Sequence, residues 1–94
     1  MIGSFGDRLT QRVWEGLRAR RLPGEVQQVG RRKLRMINSA QSLQDLLVPP
    51  ANRLEKLKGN LIDYYSIRIN DQWRVIFQWK DGKAERVQIL DYHK

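Results

Sequence analysis

Residues 64–92, YYSIRINDQWRVIFQWKDGKAERVQILDY, decide the fold. Apolar and polar residues alternate through their first part, with Tyr65, Ile67 and Ile69 on one side and Tyr64, Ser66 and Arg68 on the other. That period of two is the signature of a half-buried strand. Asn70-Asp71 then supplies turn chemistry, and a second strand sets Trp73, Val75, Phe77 and Trp79 against Arg74, Ile76 and Gln78. Asp81-Gly82 is the strongest hairpin signal in the chain, because both residues tolerate the positive φ of a two-residue turn. A third strand follows from about Ala84 to Tyr92. The implied object is an antiparallel meander in which Arg68 and Arg74 share a face with Ser66, Gln78 and Tyr92, away from the aromatic and aliphatic stripe.

A stripe of that size has to be covered, and the N-terminal half offers the cover. Asp7 reads as a helix N-cap, and Leu9, Val13 and Leu17 recur at helical spacing, predicting an amphipathic helix over 8–20 that stops before Pro23-Gly24. A second helix is predicted from Glu25 to Ala40, with Val26, Val29, Gly30, Leu34 and Ile37 on one face. Ile2 to Phe5 is a candidate opening strand. Leu43, Leu46 and Leu47 read as buried, while Pro49-Pro50 forbids a continuing helix and makes 48–60 an ordered loop. The fold class is therefore α+β, two helices packed on one face of an antiparallel sheet whose second face can stay wet. The chain of 94 residues is a single domain, 1–94.

Composition narrows the chemistry. Charged residues make up 30% and hydrophobic ones 40%, the balance of a globular protein. There is no Cys and one His, which removes disulfides and thiolate metal sites, and no carboxylates are spaced to build a site around His93. Neither a phosphate-binding glycine loop nor a dinucleotide fingerprint is present, so no cofactor is expected. The N-terminus MIGSFGDRLT has no apolar run of signal length and nothing elsewhere is long enough to span a membrane, which makes the cytoplasm the expected location. Net charge is +8 with a pI near 10.5. Residues 1–36 hold nine Lys/Arg against three Asp/Glu, and residues 37–94 hold nine against seven. That excess points to a polyanion or an acidic protein as partner. Taken one by one, Arg18, Arg20, Arg21, Arg31, Arg32, Lys33 and Arg35 also read as solvated helix positions.

One constellation can carry chemistry: Asp91-Tyr92-His93, with Arg53 and Glu55 in the loop and Arg68 and Arg74 on neighbouring strands. Two guanidiniums on a wet sheet face can hold a phosphate. Cutting RNA without a metal needs a deprotonated ribose 2′-OH, a stabilised pentavalent phosphorane and a protonated 5′-oxygen leaving group. Arginine meets the second need, and His, Tyr or Glu the others.

The segments Pro50-Ala-Asn-Arg-Leu-Glu-Lys-Leu-Lys-Gly59, Tyr65-Ser-Ile-Arg-Ile-Asn-Asp-Gln-Trp-Arg-Val-Ile-Phe77 and Asp91-Tyr-His93 resemble the HigB branch of the RelE/ParE toxin superfamily, and the opening Met-Ile-x-Ser-Phe and the helical Arg-Arg-Lys-Leu extend the likeness over the whole chain. The resemblance implies a two-helix, antiparallel-sheet fold. It also implies a toxin that cleaves messenger RNA, commonly on the translating ribosome, by metal-independent 2′-OH attack. By position, Arg74, Asp91, Tyr92 and His93 fall on the family's catalytic residues, and Glu55 stands where some HigB relatives carry a His. The expected catalytic set is Arg74, Tyr92, His93, Asp91 and Glu55, with charge stabilisation dominant and His93 as acid. Phosphate contacts are expected from Arg53, Arg68, Lys56 and Lys58. The implied partners are messenger RNA, the ribosome and a helix-turn-helix antitoxin, for which Arg18, Arg31, Arg32 and Arg35 are candidate contacts. Alternatives are a ParE-like protein that poisons DNA gyrase without catalysis, and a basic nucleic-acid-binding accessory protein.

Overall fold

Helix formation begins where the sequence places a cap. In the computed structural model, which describes residues 1–92, the Asp7 carboxylate accepts the Thr10 amide proton at 2.8 Å and helix α1 runs Arg8–Trp14. The predicted extension to residue 20 does not form. Gly16 turns left-handed at φ +83°, and the amide of Leu17 donates back to the Arg12 carbonyl at 2.9 Å, closing the helix. Leu17 is consequently exposed, while Ala19 and Leu22 in the connection are buried.

Helix α2, Gly24–Ser39, follows Pro23 at once, close to its predicted bounds. It buries Val26, Gly30, Leu34 and Ile37, and Val29 packs at the margin of the core. At Gly30 the helix lies so near the sheet that an added Cβ would sit 3.3 Å from Ile89 Cδ1 and 3.5 Å from Ile69 Cδ1. Lys33 departs from the expectation of a solvated position. It is only 7% exposed, and its ammonium donates to Asn52 Oδ1 at 2.6 Å. The Asn52 carboxamide is the partner that makes this burial tolerable.

Ser42 and Asp45 then form a capping box on a 3-10 turn, Leu43–Leu47. Leu46 is buried and Leu43 partly so, but Leu47 is 55% exposed, contrary to its reading as a core residue. The Val48–Pro49 bond is cis, and a second 3-10 turn, Pro50–Asn52, ends at Arg53 in the left-handed region. The segment predicted as loop also contains a strand, β1, Glu55–Lys56. With β2 (Tyr65–Arg68), β3 (Trp73–Lys80) and β4 (Lys83–Asp91) the sheet has four strands in the order β1-β2-β3-β4, each pair antiparallel.

Both predicted turns form with the chemistry read from the sequence. The Asn70 side chain accepts from the amides of Gln72 (2.9 Å) and Trp73 (2.8 Å). Asp81 and Gly82 take φ of 51° and 77°. Between Ile76 and Gln78 the register shifts by a bulge at which Arg86 adopts φ 51°. The stripe of Ile67, Ile69, Val75, Phe77, Val87 and Ile89 packs under the helices, with Phe77 fully buried. Truncating such a residue to Ala costs about 3–5 kcal/mol. The other face is not uniformly wet: Ser66 and Ile76 are buried on it.

Ile2 and Phe5 do not make a full strand. They form single parallel bridges to Ala84 and Val87, and the amides of Gly3 and Gly6 donate to the carbonyls of those same residues. Further along, the buried Thr10 hydroxyl accepts the amide proton of Ile89 at 2.8 Å. The N-terminal ribbon and α1 thus satisfy the outer edge of β4.

Candidate active site

Strand pairing places Arg68 directly opposite Arg74, and Arg74 opposite Leu90, so both guanidiniums leave the sheet on the face away from the helices. Arg74 is held on every side. Its Nε donates to Ser66 Oγ at 2.8 Å, its Nη2 donates to the Arg53 carbonyl at 2.7 Å, and the same nitrogen lies 3.4 Å from Glu55 Oε1. Its side chain is 12% exposed. The left-handed turn at Arg53 aims that carbonyl at Arg74, and β1 brings Glu55 beside Ser66 in the register. A guanidinium fixed at two donors keeps its remaining N–H groups in a set direction, as bidentate binding of a phosphate requires.

Tyr92 completes the enclosure. Its amide donates to the Gln72 carbonyl at 2.7 Å, continuing the line of β4, and its ring centroid lies 5.8 Å from Arg74 Cζ. Burial holds the phenol above its ordinary pKa and Glu55 pushes it further up, while Arg74 and a hydrogen bond with Ser66 pull it down. The net direction is upward, so Tyr92 is a protonated hydrogen-bond donor at neutral pH. Beside it, Arg53, Arg68, Asn70, Asp71 and Arg74 line a groove of about 470 Å³ on the open side of the site. Arg68 pairs with Asp71 at the groove wall.

Other sequence candidates fall elsewhere. Asp91 pairs with Trp73 in the register and so points to the side opposite Arg74, where it accepts from Gln72 Nε2 at 3.1 Å. Lys56 shares a face with Tyr65, 5.3 Å over its ring, and donates to the Ile62 carbonyl. Both side chains lie on the far side of the sheet from the groove. Lys58 is exposed at the start of a 3-10 turn, Gly59–Leu61. His93 lies outside the described residues. Arg18, in the connection between the helices, is exposed, as are Arg32 and Arg35 on α2, and Arg31 is half-buried beside Gly16. Two participants were not singled out in the sequence: Ser66, whose hydroxyl anchors Arg74, and Asn52, fully buried beneath Arg53. A small polar residue inside an apolar alternation was the available signal for Ser66. Nothing local marks Asn52.

A groove walled by three arginines and the Asp71 carboxylate, with the Tyr92 phenol beside Arg74, is the setting in which known proteins become informative. Residues 3–93 match the family described as RelE-like toxin of type II toxin-antitoxin system HigB. The chain belongs to this HigB-like toxin family. Toxin HigB-1 of Vibrio cholerae is 43% identical, with 100% of this chain and 99% of that protein covered. Endoribonuclease HigB of Proteus vulgaris is 39% identical over 41 residues, 44% of this chain and 45% of that one. Among solved structures, the YoeB-YefM complex from Staphylococcus aureus aligns over 100% of this chain and 99% of its own with a TM-score of 0.63 at 20% identity, a likeness of fold. A full-length match to a HigB family does not favour the gyrase-poisoning alternative. Among the described residues no three His, Cys, Asp or Glu side chains converge as a metal site, and no helix is long and apolar enough to cross a membrane.

Proposed function

We propose that this HigB-like toxin is an endoribonuclease that cuts messenger RNA in the Arg53–Arg68–Arg74 groove. The observation that carries the reading is the guanidinium of Arg74, fixed by Ser66 Oγ and the Arg53 carbonyl and roofed by Tyr92. In the reaction the ribose 2′-oxygen attacks the adjacent phosphorus, its proton passes to a base, and a P–O bond forms as the bond to the 5′-oxygen breaks. A 2′,3′-cyclic phosphate and a 5′-hydroxyl result. Arg74 faces the phosphorane charge with Arg53 and Arg68 adding potential around it, and such preorganised charge contributes most where no water must reorganise. Glu55, 3.4 Å from Arg74 Nη2, is the candidate base, and Tyr92 donates a hydrogen bond to a phosphate oxygen. His93, next in sequence, is the acid that protonates the leaving oxygen.

Ribosome-bound messenger RNA is the proposed substrate, and a helix-turn-helix antitoxin the proposed neutralising partner in the cytoplasm. The likeness of fold to a toxin–antitoxin complex supports the second, and the exposed arginines of α2 offer it a basic surface. Mapping of transcript 5′ ends after brief induction tests the activity, with Arg74→Ala as the inactive control. The expected result is cuts positioned by codon in the wild type alone. Intact transcripts accompanied by DNA breaks would overturn it in favour of gyrase poisoning, and intact transcripts with intact DNA in favour of a plain binder.

A further inference from the structure

The Arg53 carbonyl holds Arg74, but nothing in the sequence of residues 50–56 obliges a left-handed arginine. Residues without glycine's freedom adopt that region only when their surroundings fix them. The fixing contacts run inward. Asn52 is fully buried, and its Nδ2 donates to the carbonyls of Leu46 (3.2 Å) and Val48 (3.4 Å). Its Oδ1 accepts from the Lys33 ammonium of α2 at 2.6 Å. Its own amide donates to Pro49, and the Arg53 amide to Pro50. A cation drawn from a helix into the interior thus clamps the one carboxamide on which the turn is wound, directly beneath the residue that orients Arg74.

We propose that Lys33 and Asn52 are positioning residues for cleavage: their buried bond holds the Pro50–Asn52 turn so that the Arg53 carbonyl fixes the Arg74 fork. The inference rests on the reading of Arg74 as the phosphate-binding group. Neither side chain lines the groove, and the backbone from Asn52 to Arg53 is the path by which they reach Arg74. Burial and the nearby charges of Arg32 and Arg68 all lower the Lys33 pKa, so its place is electrostatically unfavourable for a lysine. What the buried ammonium does there is donate to Asn52, whose own donors bind the carbonyls of Leu46 and Val48 ahead of the turn.

The test is a double-mutant cycle of single-turnover cleavage of ribosome-bound RNA by wild type, Lys33→Met, Arg74→Lys and the combination, with RNA affinity measured in parallel. Lys33→Met keeps the length of the stem and removes the donor. It is expected to slow cleavage ~30-fold and to change RNA affinity less than ~2-fold. In the Arg74→Lys background the loss should shrink to less than ~3-fold, because a lysine there has no fork for Arg53 to hold. Wild-type cleavage by Lys33→Met, or the same loss in both backgrounds, overturns the proposal. A readout independent of activity is the arginine side-chain NMR spectrum. In the wild type the Arg74 Nη2 group should rotate slowly about its bond to Cζ, and in Lys33→Met it should average freely. Asn52→Asp, which keeps the acceptor for Lys33 but loses the donors to the Leu46 and Val48 carbonyls, should free it as well, and serves if Lys33→Met does not fold. Arg74 signals unmoved in every folded variant sink the positioning role alone, whereas undiminished cleavage by Arg74→Ala sinks the proposed function.

Discussion

Two populations of arginine share this small protein, and they differ in how they are held. On the helical side Arg18, Arg32 and Arg35 stand exposed, and Arg12 spends its guanidinium on the Arg18 carbonyl at the surface. On the sheet Arg74 makes the same kind of backbone contact, but with 12% of its side chain exposed and a serine, a carboxylate and an aromatic ring around it. The first population holds most of the net charge and the second most of the geometry. Net charge attracts a polyanion from a distance, whereas a site needs charge whose direction was fixed before the substrate arrived. Counting residues locates the first kind and passes over the second.

Removing the organised charge should have the largest effect on chemistry. Arg74→Ala is expected to slow RNA cleavage ~10³-fold with the fold retained, checked by single-turnover kinetics beside circular dichroism. Arg74→Lys should recover only part of that loss, since a point charge cannot span two phosphate oxygens. If Arg74→Ala cleaves normally, the contrast between the two populations has no catalytic meaning.

His93→Ala should come next, at ~10²-fold in the rate of cleavage with RNA binding little changed, the range of a positioned general acid. Deletion of His93 and Lys94 together gives a stricter version. Full cleavage by the truncated chain would pass the acid role to Tyr92 or Glu55.

The helical population should respond differently. Arg32→Glu with Arg35→Glu is expected to slow antitoxin association by ~10-fold at low salt, less at high salt, and to leave cleavage unchanged. Arg31 is a poor choice for this experiment because it packs against Gly16. Stopped-flow association over a range of salt concentrations reads the effect, and an unchanged on-rate would remove that surface as a docking site.

The smallest effect is the proton linkage to stability of Lys33, a cation of the helices that has been taken inside. Its pKa is lowered in the native state, so below about 10.5 the unfolded chain binds more protons than the folded one. Stability should therefore rise with pH in that window, by an amount that Lys33→Met abolishes. Urea midpoints of the two proteins measured from about pH 8 to about pH 10 give the comparison, and parallel curves would show that Lys33 carries no proton linkage.

Legibility in the sequence followed the range of the interaction. The Asp7 cap, the Asn70 turn and the Asp81-Gly82 hairpin are decided by residues within three positions of each other, and all form as read. The end of α1 is hidden because helical spacing continues to Leu17, past the glycine that stops the helix. Strand β1 leaves no mark in the sequence because two exposed residues show no alternation. Lys33 looked like one more basic helix position, since its partner Asn52 is 19 residues away. In the site, alternation brought Arg68 and Arg74 to one face, but the roles of Ser66 and the Arg53 carbonyl depend on a register and a backbone angle that no motif encodes.

The first six residues have one more consequence. A partner can join a sheet by laying a strand along an unpaired edge, and many protein complexes are assembled that way. Here the β4 side is already occupied by the bridges at Ile2 and Phe5 and by Thr10, and on the other side the outermost strand is two residues long. A neutralising chain therefore finds almost no backbone to extend. Among the described residues it is side chains that the sheet offers a partner, and substitutions there can change specificity without the sheet itself feeling them.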